Sequence, residues 1–405
     1  MKKLLKYLLI PIGILVILAI VYFINPNYFN NLMVDLLYPT VTIEEQHQNK
    51  VSVEIPTVYE LMYIACVLTK TFQQDDNLIS QRTPEYYAEV LQHFEPYKDH
   101  PLVQILETQL KEDPYAQIQP SIRLFSLNYD LSTENQLLEN KVFHVNKLLL
   151  TLFKKKIFYF PDRILVIEDF AAKTNFHQFY TDHLSYYNHL IEKYKQLCDP
   201  EGMWQWMEQR FPERYTSYRI IFSPLTGGFH NTIPQLKDTE TGDQQTWLFV
   251  SPPSSVDLDT LSAKQLELLT SKMTREVFTE IDHNYVNPIS DKYMKEIEVS
   301  MPDYKKWNRQ ERGYQSSYAT FNEYMTWGLF HLYAKETYSS NQLDSIVTFQ
   351  SNFMEDSRKF VGFKAFSKQL VTLYEKQKNT TGILEIEPLY TPMLNWMKGY
   401  SFEDN

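Results

Sequence analysis

The sequence predicts an α+β fold that is predominantly helical, with one small sheet and one N-terminal transmembrane helix. Three observations support this prediction. Residues 4–24 form an apolar stretch, helical periodicity covers most of the remaining chain, and β-type alternation is confined to residues 217–222 and 247–250. The 43% hydrophobic content includes 25 Phe and 29 Tyr, which is enough to build a sizeable folded core.

Composition excludes several classes of function. The 405 residues carry 39 Lys and Arg against 50 Asp and Glu, a net charge of −11 that argues against nucleic-acid partners. Only 10 Gly occur, without a G-x-G-x-x-G turn or a P-loop, so no nucleotide partner is expected. Cys66 and Cys198 both lie in apolar helical patterns, and we expect two buried thiols rather than a disulfide.

The N-terminus carries the only segment that can span a bilayer. Residues 4–24 give about 31 Å of helix, close to the thickness of the hydrocarbon core. Lys2, Lys3 and Lys6 precede the uninterrupted part of this segment, residues 8–24, so the positive-inside rule places the N-terminus in the cytoplasm and the rest of the chain outside it. We therefore expect a transmembrane anchor over residues 1–25; a cleaved signal peptide is the alternative.

The following 190 residues or so are predicted to form a tether and a helical region. Residues 26–50 show no steady period, which favours a tether or an additional parallel strand. Residues 51–215 are predicted to be helical, with Pro56, Pro84 and Pro101 at helix starts. Within them, residues 176–194 carry one long apolar stripe that faces a core.

Residues 216–405 are predicted to begin with a β-hairpin and to continue with helices. The two β-type runs flank a polar loop that contains Gly227, Gly228 and His230. Helical periodicity resumes near residue 259 and continues to the C-terminus, with breaks at Pro288 and Pro302 and a third at Gly313.

One predicted helix presents a narrow polar stripe. At 100° per residue, Glu276, Glu280, His283 and Asn287 lie at about 0°, 40°, −20° and 20°. An amphipathic surface helix has the same pattern, and an acid three residues before a His is expected about once by chance in this composition. The stripe alone therefore leaves a functional site and a solvated helix face as alternatives.

Residues 274–288 resemble a motif of an uncharacterised bacterial domain family, H-E-F-x-H-x-F-V-N-P, which is a zincin-type zinc-peptidase signature. The resemblance extends over roughly residues 50–340 and implies a zincin-like domain. It assigns Glu280 as the general base, His283 as the second zinc ligand and Asn287 to the F-V-N-P tail. Thr279 stands where the motif has its first His, and threonine is a poor zinc ligand.

Two other residues are candidate zinc ligands. His230, on the loop that lies near the substrate strand in zincin-like folds, can compensate for Thr279, whereas Glu276 lies about 10 Å from His283 along the helix and only lines the site. Glu323 matches the third ligand of glutamate-type zincins and lies on an apolar helix face, where a carboxylate needs a partner. A structural pair with a buried Arg, Lys or Tyr explains Glu323 equally well.

The resemblance and the anchor together predict a membrane-anchored extracytoplasmic protein. It is expected to act as a zinc-dependent peptide hydrolase with an atypical metal site, on a peptide or protein substrate. The alternative is an inactive pseudo-peptidase that binds partners in the cell envelope. Because Thr279 stands in place of the first zinc-ligand His, the sequence supports these two predictions about equally.

Overall fold

The structure is a computed structural model that describes residues 40–80, 82–112, 119–140, 142–144, 160–228, 230–311 and 313–402. The predicted anchor, residues 1–25, and most of the predicted tether lie outside these residues. Across the described ranges, no helix combines the length and apolar character needed to cross a membrane.

A six-stranded mixed sheet forms the β part of the fold. Its order is β2-β6-β8-β7-β1-β5. The strands are β1 Thr40–Val41, β2 Val51–Glu54, β5 Phe143–His144, β6 Ser217–Ile221, β7 Asn231–Asp238 and β8 Gln244–Phe249, and a separate ribbon pairs β3 Tyr129–Leu131 with β4 Leu137–Glu139. Strand β1 is parallel to β7, so part of residues 26–50 forms the additional parallel strand that was one of the two predictions.

The predicted hairpin between residues 217–222 and 247–250 is wrong. Strands β6 and β8 pair in parallel, from Ser217 with Gln245 to Ile221 with Phe249. The intervening β7 pairs antiparallel with β8 and shifts register between Ile233 and Leu236. The sequence concealed β7 because Pro234 interrupts its pattern, although proline is tolerated at an edge or bulge.

Helices make up most of the described chain, which confirms the predicted α+β, predominantly helical class. They are α1 Thr57–Val67, α2 Lys70–Gln73, α3 Pro84–Phe94, α4 Pro101–Glu112, α5 Gln119–Leu127, α6 Ile164–Lys173, α7 Phe176–Asp182, α8 Leu184–Leu197, α9 Pro200–Glu208, α10 Ala263–Lys292, α11 Met294–Ser300, α12 Ser317–Thr337, α13 Ser340–Asn352, α14 Phe363–Thr381 and α15 Tyr390–Gly399. The stripe over residues 176–194 belongs to two helices, α7 and α8, that meet at His183.

Helix α10 carries the polar stripe and runs through Pro288, so the predicted break there is wrong. A proline removes the amide that would donate to the carbonyl four residues earlier. That carbonyl belongs to Asn284, and the hydroxyl of Tyr215 donates to it at 3.1 Å. The helix continues because another element satisfies the freed acceptor.

The core lies between the sheet, α1, α10 and α12. Helix α1 is buried on nearly all sides, and α10 packs against α8, α9, α12, β7 and β8. Cys66 and Cys198 are buried free thiols, as predicted. The central position of α10 buries Glu276 and leaves Glu280, His283 and Asn287 only partly exposed.

Candidate functional site

A cluster of charged side chains lies along α10, between the start of β7 and helix α12. We call it the polar cluster. Its members are Arg82, His230, Arg275, Glu276, Glu280, His283, Glu323 and Arg358. Three of these eight residues are buried and the other five are partly exposed. Four of them lie on α10, and the fold brings the other four to this helix from distant parts of the sequence.

His283 and Glu323 come together, as the sequence predicts. Nε2 of His283 lies 4.0 Å from Oε2 of Glu323, whose side chain is 3% exposed. Oε1 of Glu323 accepts hydrogen bonds from Nη1 of Arg358 and, at 2.8 Å, from Nε1 of Trp327. Oε2 has no hydrogen-bond partner among the described residues. One carboxylate oxygen is therefore fully engaged and the other faces the imidazole.

Arg358 reaches Glu323 because of an irregular turn. Helix α13 is followed by a π-helical turn, Phe353–Ser357, and Arg358 comes directly after it. The guanidinium lies against the rings of Tyr314, Trp327 and Phe360, at 5.2, 4.9 and 5.2 Å from their centroids. Burial lowers the pKa of this group, but Glu323 outweighs burial and holds the pKa of Arg358 above its usual value. Arg358 thus remains a caged cation beside Glu323.

Glu280 is the residue that the zincin resemblance assigns as general base. Its side chain is partly exposed, yet loss of hydration, followed by the charge of Glu323, raises the pKa of Glu280 to about 8. Arg123 and Arg358 oppose that rise. Asp282, two residues along and completely buried, has its pKa raised by burial and by the same two glutamates. Glu280 is therefore mainly protonated at neutral pH in this arrangement.

Glu276 is held by arginines at the other end of the polar cluster. Both of its oxygens accept from Nη2 of Arg82, at 2.7 and 2.9 Å, and Nη2 of Arg275 lies 3.4 Å from Oε1. Burial alone would raise the pKa of Glu276, but Arg82 and then His230 outweigh it and lower the pKa to about 2. Glu276 is an ionised partner in a buried ion pair.

His230 is placed with Glu276 rather than with His283. Ser251 donates to the carbonyl of Gly227 at 2.7 Å, so Nε2–H of His230 donates to Oγ of Ser251, also at 2.7 Å. Burial lowers the pKa of His230 to about 4, and its main electrostatic neighbours are Glu276 and Arg82. The imidazole is therefore neutral and oriented by Ser251.

The last two predicted residues make local contacts. Thr279 is buried, and its hydroxyl donates to the carbonyl of Glu276 at 3.3 Å within the same helix. Oδ1 of Asn287 accepts from Nδ2 of Asn322 at 3.2 Å, which joins α10 to α12. Thr279 occupies its position without taking part in the Glu323 interactions.

The family model of a domain of unknown function, DUF4932, matches residues 49–385 of the chain. The chain belongs to the DUF4932 family. This family is uncharacterised, as is the family whose motif residues 274–288 resemble. A relationship to the zincins stays a prediction. Searches of curated proteins and of solved structures found no match for this DUF4932 protein.

Among the described residues, His283 and Glu323 alone fall short of the ligand set of an ordinary zinc site. Catalytic zinc takes three protein ligands at about 2.0 to 2.2 Å, which places tetrahedral ligand atoms about 3.4 Å apart. His283 and Glu323 approach that spacing, but Thr279 supplies no third ligand and Arg358 already neutralises Glu323. Within the part of the chain that the structure describes, no three His, Cys, Asp or Glu side chains are grouped to hold a metal ion.

Sequence reasoning missed the cations of the polar cluster. Arg82 and Arg358 lie far from the motif in sequence, and Arg275 falls about 100° away from Glu276 around α10, outside the polar stripe. The sequence did contain one signal, the carboxylate of Glu323 on an apolar helix face. Two explanations of that carboxylate were open, a zinc ligand or a structural pair with a buried side chain such as arginine. The structure supplies that arginine.

Proposed function

We propose that this DUF4932 protein is a zincin-like pseudo-peptidase: a peptide-binding module of the cell envelope whose site does not depend on a metal ion. One observation carries the proposal. Glu323, which matches a zinc ligand in the resembling motif, is neutralised by Arg358 and hydrogen-bonded by Trp327. A carboxylate that is already paired with a guanidinium needs no metal cation to offset its burial.

The edge of β7 supports the binding part of this proposal. Residues Asn231 to Ile233 pair with β8 on one side, whereas β1 pairs only with Lys237 and Asp238 on the other. We propose that the first half of β7 accepts a peptide strand on the side where β1 pairs with its second half. An extended peptide can add to such an edge through main-chain hydrogen bonds. Because α10 packs against β7, that peptide would lie beside the polar cluster.

Metal analysis tests the proposal directly. We expect the purified chain to bind much less than one zinc per molecule after dialysis against zinc, and its melting temperature to be unchanged by a chelator. Thr279→His supplies an imidazole one turn before His283 and is expected to raise zinc affinity, with Thr279→Asn as the control for disturbing a buried position. Near-stoichiometric zinc in the unaltered chain would refute a metal-independent site.

A zinc-dependent peptide hydrolase is the second candidate, and one observation favours it. Nε2 of His283 and Oε2 of Glu323 are 4.0 Å apart, and that oxygen has no hydrogen-bond partner among the described residues. If the chain hydrolyses peptides, Glu280→Gln is expected to lower turnover by roughly 10² to 10⁴ while the metal stays bound. Absence of hydrolysis by the zinc-loaded Thr279→His variant would leave only the binding module.

The same proposal places the protein at a membrane with its folded part outside the cytoplasm. The support is the apolar stretch of residues 4–24 and the three lysines at its N-terminal end, Lys2, Lys3 and Lys6. We expect the full chain to remain in the membrane fraction after carbonate washing, and a variant without residues 1–25 to leave it. Retention of that variant in the membrane would show that residues 4–24 are not the sole anchor.

A further inference from the structure

Resting on the proposed peptide-binding function, we infer that the end of the polar cluster formed by Arg82, Lys272 and Arg275 binds a carboxylate group of the ligand. We call these three residues the cationic end. They lie together, since Lys272 and Arg275 sit one turn apart on α10 and each has Arg82 and Glu276 as electrostatic neighbours. The inference concerns which peptides are bound, not whether peptides are bound.

The cationic end carries more positive than negative charge. Glu276 is the acid that faces all three cations, and Arg82 already holds both of its oxygens. Arg275 shares that carboxylate only through a 3.4 Å contact, and Lys272 is exposed. Arg358 also acts on Arg275, but Glu323 neutralises Arg358. A surplus of cations at one end of a chain with a net charge of −11 marks a place for an anion.

Buried hydrogen-bond donors give independent support. Arg275 is 5% exposed and Gln350 is 1% exposed, and Nη1 of Arg275 donates to Oε1 of Gln350 at 3.0 Å. Nε of Arg275 and Nε2 of Gln350 have no acceptor among the described residues. Buried donors without acceptors are costly, so an acceptor group that reaches this end would relieve a deficit. A carboxylate supplies both the acceptors and the missing negative charge.

Strand β7 gives this end a direction relative to the ligand. His230, which directly precedes β7, has Arg82, Arg275 and Glu276 as electrostatic neighbours, so β7 begins at the cationic end. We infer that the peptide pairs antiparallel with β7, as β8 does on the other side, so that its C-terminal side lies at the cationic end. The carboxylate is therefore a free peptide C-terminus or an acidic side chain near it.

Three fluorescein-labelled Val/Thr peptides test the inference on the full chain, solubilised in detergent. The first has a free C-terminal carboxylate, the second a C-terminal amide, and the third an amide with Asp as its last residue. We expect the free acid to bind about 10- to 100-fold more tightly than the amide, which is the usual worth of a hydrogen bond to a charged group. Tighter binding of the Asp peptide as well would show that a side-chain carboxylate suffices.

Two charge variants locate the effect. Lys272→Gln removes an exposed charge from the cationic end, and Lys264→Gln removes one from the first turn of the same helix. We expect the preference for the free acid to shrink in Lys272→Gln, to vanish in Arg275→Gln if that variant folds, and to persist in Lys264→Gln. Equal binding of all three peptides by the unaltered chain would overturn the carboxylate site while leaving the proposed function intact.

Acetate provides a second measurement that does not need a peptide. At constant ionic strength, acetate is expected to raise the melting temperature of the unaltered chain and of Lys264→Gln more than chloride does, and to lose that advantage in Lys272→Gln. If no peptide binds but acetate acts in this way, the site stands and the proposed function fails. If no peptide binds and acetate does not distinguish the variants, both the carboxylate site and the proposed function fail.

Discussion

Glu323 is buried on α12, and Arg358 is the cation that makes its burial tolerable. Removing one partner of a buried ion pair leaves the other charge without compensation. We expect Arg358→Met to lower the free energy of unfolding by about 3 to 5 kcal/mol, measured by urea denaturation. The double variant Arg358→Met with Glu323→Leu should recover most of that loss, because it leaves no unpaired charge.

The double variant also separates two explanations of the stability loss. If Arg358 stabilises only through its packing against Tyr314, Trp327 and Phe360, the double variant will be no more stable than Arg358→Met. If the charge of Glu323 is the cause, the double variant will approach the unaltered chain. The second outcome would support the electrostatic role that the proposed function assigns to Arg358.

Glu280 makes the stability of the chain depend on pH. Its pKa is raised in the folded state to about 8, so the folded chain holds a proton that the unfolded chain releases near its ordinary value. This contribution to stability is fully present below the unfolded pKa and is lost as the pH rises through 8. We expect Glu280→Gln to be about as stable as the unaltered chain at pH 4.5 but more stable at pH 9.

Denaturation curves at the two pH values measure this difference. An advantage of about 1 to 3 kcal/mol for Glu280→Gln at pH 9 fits a partly exposed carboxyl with a raised pKa. Glu298→Gln, which removes an acid elsewhere on the surface, serves as the control for the change in net charge. An advantage of equal size at both pH values would show that packing, rather than proton binding, accounts for it.

At the scale of elements, α10 depends on a contact that reaches across the fold. Pro288 cannot donate to the carbonyl of Asn284, and Tyr215 donates instead at 3.1 Å. We expect Tyr215→Phe to lower the free energy of unfolding by about 1 to 3 kcal/mol, the cost of an unsatisfied buried acceptor. Pro288→Ala restores an amide at that position, so the same Tyr215→Phe change should cost less in a Pro288→Ala background. Equal costs in the two backgrounds would contradict this account.

The elements also show what the sequence could predict. Helix α10 and its polar stripe follow from periodicity, and the meeting of His283 with Glu323 follows from the motif and the buried-face carboxylate. Strand β7 could not be predicted from the sequence, because Pro234 and a register shift hide its alternation. The continuity of α10 through Pro288 could not be predicted either, because it depends on Tyr215, a residue far away in sequence. The arginines of the polar cluster belong to the same class, because only tertiary structure brings Arg82 and Arg358 to α10.

At the scale of the whole molecule, one sheet joins the regions on either side of residue 215. Strand β2 pairs in parallel with β6, from Val51 with Tyr218 to Glu54 with Ile221. An ion pair reinforces the joint: Nε and Nη2 of Arg219 donate to the two carboxylate oxygens of Glu54, at 2.7 and 2.9 Å. The region of residues 51–215 and the region of residues 216–405 therefore share one hydrogen-bonded sheet.

This shared sheet predicts that the two regions unfold together. Glu54→Gln weakens the bidentate pair with Arg219 and is expected to lower the free energy of unfolding by about 2 kcal/mol. Because the pair lies at the joint, the loss should appear in both regions. Hydrogen exchange of the slowest amides in α1 and in α12 reports on each region separately. We expect both sets to exchange faster by the same factor; faster exchange in α1 alone would mean that the regions unfold independently.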